Sequence, residues 1–172
     1  MTNNTQTLLV FAGLPGVGKS TAIETLSRLH NITPHSSDCI RKELFDTVTY
    51  SGEESKATYE ELYDRTRNSL TNGNDTVIDG TMSLKHGRDT AASIANETNS
   101  NIMFVKVECR PEIAKQRIRD RCNADDAVSD ADVTVYENFD FEPFDREHIT
   151  ITNNRGIQRL QEQLTKAIIP KL

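Results

Sequence analysis

The chain has no excess of positive charge, and this lack bears on its partners. Lys and Arg number 20 against 26 Asp and Glu, so the net charge is 20 − 26 = −6 over 172 residues. Proteins that bind nucleic acid over an extended surface use many Lys and Arg contacts to phosphates. We therefore expect no extended nucleic-acid surface, while a local basic groove stays compatible with this composition.

Cysteine is scarce as well. Cys39, Cys109 and Cys122 are odd in number and widely spaced, which fits neither a zinc site nor a disulfide framework. The first residues, MTNNTQ, lack the basic segment of a signal peptide, and no apolar run approaches the length of a membrane span. These features predict a soluble, cytoplasmic protein with reduced thiols and no membrane contact.

No repeat, low-complexity tract or linker interrupts the chain, so we expect a single domain over residues 1–172. Apolar segments alternate between strand-like and helix-like spacing, which is typical of a βαβα order. This spacing predicts strands at residues 8–12, 33–36, 76–79, 102–108 and 148–152.

Between these strands, apolar residues recur at helical spacing and predict helix faces that pack in the core. Pro111 predicts the start of one helix, because its missing N–H costs nothing in a first turn. The predicted inner faces are Ile23, Leu26 and Leu29 in a helix at 20–30; Ile40, Leu44 and Val48; Tyr59, Leu62, Tyr63, Thr66 and Leu70; Ala91, Ile94 and Ala95; and Ile157, Leu160, Leu164 and Ile168.

Residues 13–20 read GLPGVGKS and fit the pattern G-x-x-x-x-G-K-[ST] at every required position. The glycines let backbone N–H groups point at phosphate oxygens, Lys19 reaches the β and γ phosphates, and the Ser20 hydroxyl can bind Mg²⁺. A strand is predicted before the motif and a helix after it, and the helix N-terminus favours an anion. We therefore predict binding of ATP and Mg²⁺ by Gly13, Leu14, Pro15, Gly16, Val17, Gly18, Lys19, Ser20 and Thr21.

Asp38 follows the second predicted strand, where ligands bind in open α/β sheets. It lies three residues before Arg41, so the two side chains share one face of a helix start. A carboxylate there can accept a proton from an acceptor hydroxyl while Arg41 holds the acceptor or the transferring phosphate. The alternative is that Asp38 merely caps the helix, since Ser36, Ser37 and Asp38 are all good N-cap residues.

Asp79 ends the third predicted strand, directly before Gly80. It resembles the acidic residue that holds Mg²⁺ through water in P-loop proteins, and we expect it to act with Ser20. The alternative is a plain turn at Asp79 and Gly80.

The predicted helix from Pro111 leads into an acidic, poorly periodic stretch at residues 123–132. Arg117 and Arg121 are four residues apart and face one way, so they can clamp the phosphates of ATP as part of a lid over residues 117–137. A calcium loop at 123–132 is a weaker interpretation, because the glycine and terminal Glu of that pattern are absent. The alternative for the arginines is a solvated charged face that pairs with Glu112 and Asp120.

Taken together, these motifs resemble the small P-loop kinases related to the kinase domain of polynucleotide kinase, and more distantly zeta toxins and gluconate or chloramphenicol kinases. The resemblance covers most of the chain. It rests on GLPGVGKST, SSDCIRKELF, GNDTVIDGTM followed by Arg88, VECRPEIAKQRIRDR and DAVSDADVTVYENFDFEPF. It implies an α/β fold with three layers, the P-loop NTPase fold, in which a five-stranded parallel sheet is flanked by helices and carries a small helical lid.

The resemblance also implies roles for individual residues. Asp38 would be the general base, and Arg41 would contact the acceptor or the scissile phosphate. Arg121 would clamp ATP, with Arg117 as the next candidate. The segment with Asn153 and Arg155 would lie beside the adenine, and residues 50–63 are where we expect the acceptor site.

We therefore predict an ATP- and Mg²⁺-dependent kinase that acts on a hydroxyl of a small molecule, a nucleoside or a nucleic-acid 5′ end. Lys19, Asp38, Arg41 and Arg121 are the predicted catalytic residues. Two alternatives stay open: a nucleoside monophosphate kinase, which needs arginines more than a base, and a non-catalytic nucleotide-dependent switch. The chain lacks an N-K-x-D motif and the D-x-x-G spacing at Asp79, which disfavours a GTPase switch.

Overall fold

A computed structural model of the chain describes residues 5–122 and 133–172. Within these ranges the strands are β1 (Thr7–Ala12), β2 (Thr33–Ser36), β3 (Thr76–Asp79), β4 (Asn101–Glu108) and β5 (Ile149–Thr152). Each predicted strand is confirmed, with boundaries that differ by about one residue. The helices are α1 (Lys19–Leu29), α2 (Ser37–Leu44), α3 (Gly52–Thr71), α4 (Lys85–Glu97), α5 (Pro111–Cys122), α6 (Val133–Glu137) and α7 (Ile157–Ala167), and a 3-10 turn follows at Ile169–Lys171.

The strands form one parallel sheet in the order β2-β3-β1-β4-β5. Side chains alternate across the central strand, as strand geometry requires. Leu9 and Phe11 pack in the cluster that contains residues of α1 and α7, while Leu8 and Val10 pack in the cluster that contains residues of α2, α3 and α4. Helices therefore cover both faces, and the three-layer P-loop NTPase fold is confirmed.

The connections that leave β1 and β3 run to opposite faces of the sheet. Helix α1 follows β1 and packs on one face, while α4 follows β3 and packs on the other. Adjacent parallel strands with divergent connections leave a crevice at their carboxyl ends, which is where open α/β sheets bind ligands.

Helix α2 ends at Leu44. The prediction that Ile40, Leu44 and Val48 form one inner helix face is therefore confirmed for Ile40 and wrong for Leu44 and Val48. Leu44 is 43% exposed and Val48 lies outside the helix, whereas Ile40 is buried. Phe45 leaves the helical conformation, and the residues after it include the β-branched Thr47, Val48 and Thr49, which are poor helix formers.

Two further residues assigned to inner helix faces are exposed. Leu29 is 39% exposed, because a spacing of three residues from Ile23 through Leu26 drifts around a helix of 3.6 residues per turn. Ile157 is 53% exposed and is the first residue of α7, whose buried face begins at Leu160.

Arg88 in α4 is fully buried and ties two loops together. Its Nη1 donates to the carbonyl oxygens of Met82 and Ser83 at 2.8 Å, and its Nη2 donates to that of Pro143 at 2.9 Å. The guanidinium also lies 4.7 Å from the ring centroid of Phe144. Arg88 thereby fastens the chain that follows α6 to the loop that follows β3.

None of the helices in the described ranges is both long enough and apolar enough to cross a membrane.

Candidate active site

The predicted phosphate-binding loop connects β1 to α1 and has the backbone that only glycine adopts easily. Gly16 and Gly18 have φ values of +79° and +95°. A Cβ at Gly16 would lie 2.5 Å from the carbonyl oxygen of Ala114, and one at Gly18 would lie 2.2 Å from Nδ2 of Asn153. Both positions therefore need glycine for the turn and for the close approach of α5 and of the residue after β5.

Two side chains hold the loop by its carbonyl groups. The Val17 carbonyl accepts a bond from Asn153 Nδ2 at 3.0 Å and another from Arg117 Nη1 at 3.2 Å. Arg117 also donates to the carbonyl of Gly16 at 3.5 Å and to that of Asn153 at 3.1 Å. Carbonyls satisfied in this way are what a loop requires when its N–H groups are to bind phosphate.

Asn153 and Arg117 therefore contact the loop itself, and their predicted contacts with ATP stay predictions. Arg155 is exposed just after β5, and its predicted place beside the adenine also stays a prediction. In the loop and the first turn of α1, Pro15 and Val17 are buried, while Ser20 and Thr21 are exposed.

Lys19 donates through Nζ to the carbonyl oxygens of Gly13 at 2.9 Å and Leu14 at 3.2 Å. Burial lowers the pKa of Lys19, because water no longer solvates the ammonium. The charges of Asp79 and Asp38 partly oppose this shift. The ammonium is therefore a partly buried cation next to the carboxyl end of β1.

The predicted metal-binding residues are adjacent. Ser20 Oγ donates to Asp79 Oδ2 at 3.2 Å. Mg²⁺ prefers oxygen ligands and usually keeps several waters, so the Ser20 hydroxyl would bind the ion and Asp79 would hold it through a water. No cluster of three or more His, Cys, Asp or Glu side chains suits a metal within residues 5–122 and 133–172, so the remaining ligands would be phosphate and water oxygens.

The surroundings of Asp79 disfavour the charged form of its carboxyl group. Burial raises the pKa of Asp79, and the nearby charge of Asp38 adds to the rise, while Lys19 and the Ser20 hydrogen bond oppose it. The carboxylate is therefore poorly solvated and placed to gain from a cation.

Asp38 lies in the first turn of α2, and the helix is capped by a different residue. The N-cap is Ser36, whose hydroxyl accepts a bond from the N–H of Cys39 at 3.5 Å. The capping alternative for Asp38 is therefore wrong. Its negative charge opposes the lowering of the Lys19 pKa and adds to the rise of the Asp79 pKa, so the carboxylate acts on both groups.

Arg41 is 6% exposed and lies against the start of α3. Its Nη1 is 3.6 Å from Oε2 of Glu54, its Nη2 donates to Ser55 Oγ at 3.5 Å, and its Cζ is 4.8 Å from the ring centroid of Tyr50. Within the described ranges, Nε and Nη1 make no hydrogen bond. The predicted acceptor-side arginine thus meets the segment that we expected to form the acceptor site.

Tyr59 is a polar member of this site that the sequence pattern assigned to the core. Its hydroxyl is within hydrogen-bonding reach of the side chains of Ser37 and Thr81, and a Cβ at Gly80 would lie 3.2 Å from it. Burial raises the pKa of Tyr59, and the charge of Asp38 raises it further. The choice of Tyr rather than Phe in an apolar stripe is the sequence signal that this side chain meets polar groups.

Arg121 lies at the end of α5 and is half-buried, and its positive charge contributes to the lowered pKa of Lys19. Lys115 of the same helix pairs with Glu137 of α6 at 2.7 Å, which joins the two helices at the ends of the predicted lid. The interpretation of residues 123–132 as a mobile lid loop or a calcium loop lies outside the described residues.

This geometry defines the class: the chain has the fold and the phosphate-binding loop of the P-loop kinases. It belongs to the family described as "AAA domain", whose model matches residues 8–141. No curated protein matches the sequence at a significant level.

Several solved structures are similar over nearly the whole chain. The Mycobacterium tuberculosis APS kinase CysC in complex with AMPPNP and APS is 15% identical, covers 95% of this chain and 96% of its own, and has a TM-score of 0.74. Chaetomium thermophilum Kti12 in complex with ADP-AlF3 is 19% identical, with coverages of 92% and 96% and a TM-score of 0.70. A chain of the Pnkp1/Rnl/Hen1 RNA repair complex is 24% identical, with coverages of 86% and 51% and a TM-score of 0.61.

We predict that Gly16→Ala weakens ATP binding at least about tenfold, because the methyl group would displace the loop from α5. Gly73→Ala is the matched control, since Gly73 also has a positive φ, of 85°, but nothing within 4 Å of an added Cβ. In both variants an alanine with positive φ costs about 1–2 kcal/mol of folding free energy, which lowers the Tm by about 2–8 °C. Binding of a fluorescent ATP analogue and thermal unfolding measure the two effects, and equal behaviour of the variants would contradict the clash.

We predict that Asp79→Asn raises the Tm of the nucleotide-free protein at neutral pH. A carboxyl whose folded pKa is raised contributes most to stability below the unfolded value of about 3.9 and loses that contribution as the pH rises through the folded pKa. The gain from Asn should therefore vanish near about pH 4. Thermal unfolding across this range tests the sign, and a less stable variant at pH 7 would contradict it. The same variant should lose the part of ATP affinity that depends on Mg²⁺.

Proposed function

We propose that this protein is an ATP- and Mg²⁺-dependent kinase that transfers the γ-phosphoryl group of ATP to a hydroxyl of a small molecule, a nucleoside or a nucleic-acid 5′ end. The observation that carries the proposal is the position of Asp38 in the first turn of α2, two residues after Ser36, which pairs with Asp79 in the register of β2 and β3. Its charge acts on both Lys19 and Asp79. A protein that only binds nucleotide has no need of a carboxylate there, whereas a kinase uses one to accept the proton of its acceptor.

The residues divide the work of an in-line displacement. Lys19 and the loop N–H groups bind the phosphates and offset their negative charge. Arg121 stabilises the negative charge that spreads over the transferring phosphoryl group. Asp38 accepts the proton of the acceptor hydroxyl, and the oxygen of that hydroxyl forms a bond to the γ phosphorus. The bond from that phosphorus to the bridging oxygen breaks, and ADP leaves. Ser20 and Asp79 would hold Mg²⁺, which neutralises phosphate charge when bound.

The lid and the adenine contacts belong to the same proposal. Residues 1–172 would act as one domain, with a lid at about residues 117–137 that brings Arg121 towards ATP, while Arg117 is already bonded to the phosphate-binding loop. The bond between α5 and α6 and the effect of Arg121 on Lys19 support this arrangement. Asn153 and Arg155 follow β5 and would border the adenine.

We propose a small-molecule acceptor and a cytoplasmic location for this reaction. The similar APS kinase holds APS together with a nucleotide analogue, which supports a small acceptor beside ATP. The net charge of −6 opposes an extended nucleic-acid surface. Cys39 and Cys109 are free thiols, which supports a reducing compartment.

A phosphate acceptor, as in a nucleoside monophosphate kinase, is the second candidate. Arg41 carries two buried nitrogens that make no hydrogen bond within residues 5–122 and 133–172, and a phosphate oxygen would satisfy them. This reaction depends on the arginine more than on a base. Arg41→Ala should then cost far more activity than Asp38→Asn.

We predict that Asp38→Asn lowers kcat about 10²–10⁴-fold, which is the usual contribution of a general base, while ATP still binds. The assay follows ATP consumption with nucleosides, sugars, antibiotics and 5′-hydroxyl oligonucleotides as acceptors. Lys19→Ala is the blank, and the exposed Asp46→Asn, just beyond α2, is the matched control. Transfer near the wild-type rate in Asp38→Asn, with ATP binding intact, would show that the base is another group.

A further inference from the structure

Two adjacent glutamates at the start of α3 lie in opposite environments. Glu53 is exposed, whereas Glu54 is only 8% exposed. The helix is capped by Ser51, whose Oγ accepts a bond from the N–H of Glu54 at 3.2 Å. The N-cap is thus already made, and the buried carboxylate of Glu54 is available for contacts further back in the chain.

Those contacts lie in the loop between α2 and α3. Oε1 of Glu54 accepts bonds from the N–H of Thr49 at 2.9 Å and from its hydroxyl at 2.7 Å, and Oε2 accepts the N–H of Tyr50 at 2.8 Å. Tyr50 has a φ of +55°, which is strained for a residue other than glycine. The carboxylate therefore stabilises an unfavourable backbone at the residue whose ring lies over Arg41.

The same carboxylate also fixes Arg41. Its Oε2 is 3.6 Å from Nη1 of Arg41, and the Tyr50 ring centroid is 4.8 Å from Cζ on the same guanidinium. Glu54 thus determines where the charge and the aromatic ring of this pair lie relative to each other. Arg41 keeps hydrogen-bonding capacity, because Nε and Nη1 make no hydrogen bond within the described ranges.

The unit formed by Glu54, Arg41 and Tyr50 adjoins the proposed base, Asp38. Arg41 lies three residues after Asp38 in α2, and the charges of both act on the hydroxyl of Tyr59. A shift of the Arg41 guanidinium would therefore change the acceptor side of the site without touching the phosphate-binding loop.

We propose that Glu54 is a positioning residue for the phosphoryl acceptor, because it holds Arg41 and Tyr50 as one unit beside Asp38. Glu54 acts through these two residues and has no contact with the acceptor. The proposal rests on the proposed function, since it assigns Arg41 to the acceptor side of a kinase.

The test compares Glu54→Gln with Glu162→Gln, which makes the same chemical change at an exposed glutamate of α7, outside residues 50–63. The acceptor is the compound of the panel above that gives the fastest turnover with the wild-type protein. We expect Glu54→Gln to lower kcat/KM for this acceptor by about 10- to 100-fold through misplacement of Arg41, with the KM for ATP within about twofold of wild type. Glu162→Gln should match the wild type in both.

A double-mutant cycle separates positioning from a general loss of stability. In an Arg41→Ala background, adding Glu54→Gln should cost less than about twofold, because the guanidinium that Glu54 and Tyr50 hold in place is gone. Circular dichroism and thermal unfolding report whether each variant is folded at the assay temperature. Where Glu54→Gln does not fold, Tyr50→Leu removes the ring over Arg41 from an exposed position and should give the same acceptor-specific loss.

Several outcomes would overturn the inference. Equal kinetics of the Glu54 and Glu162 variants, a parallel loss of affinity for ATP, or full additivity with Arg41→Ala would each assign Glu54 a structural role alone. A wild-type protein that phosphorylates no member of the panel would instead refute the proposed function. The two failures are therefore distinguishable.

Discussion

The carbonyl of Val17 is the point on which the nucleotide site depends. It accepts hydrogen bonds from Asn153, just after β5, and from Arg117 of α5. A loop that presents its N–H groups to phosphate must have its carbonyls satisfied by other donors. The phosphate-binding loop is therefore built by elements more than 90 residues away in the chain as well as by its own glycines. Helix α5 carries Arg121 as well as Arg117, so one helix both stabilises the loop and positions the residue proposed to clamp ATP.

The site holds charges that the free protein stabilises poorly. Burial shifts the pKa of Lys19 down and that of Asp79 up, and each partly offsets the shift of the other. Groups perturbed in this way are typical of sites that bind a charged ligand, because phosphates and a metal would neutralise them on binding. A bound nucleotide would therefore add stability to the folded state. The second acidic charge, on Asp38, distinguishes this arrangement from a plain nucleotide pocket.

The sequence predicted what local pattern and parallel topology determine. The motif, the strand before it and the helix after it specify the phosphate-binding loop, and the carboxyl ends of parallel strands bring Asp38 and Asp79 to the same edge. Contacts between distant segments were beyond this reasoning. The apolar spacing that runs on to Val48 does not show that α2 ends at Leu44, nor that Glu54 captures the N–H groups of Thr49 and Tyr50. The contacts of Tyr59 with Ser37 and Thr81, and of Asn153 with Val17, likewise join different elements of the fold.

The most direct test asks where the γ-phosphoryl group goes. ATP and Mg²⁺ are incubated with the protein and its best acceptor in water enriched in oxygen-18, and phosphorus NMR identifies the products. Transfer to a hydroxyl forms a phosphomonoester whose oxygens come from ATP and the acceptor, so we predict a new ester without oxygen-18. Inorganic phosphate carrying oxygen-18 as the only new product besides ADP would show that water is the acceptor, and would contradict the assignment of a kinase.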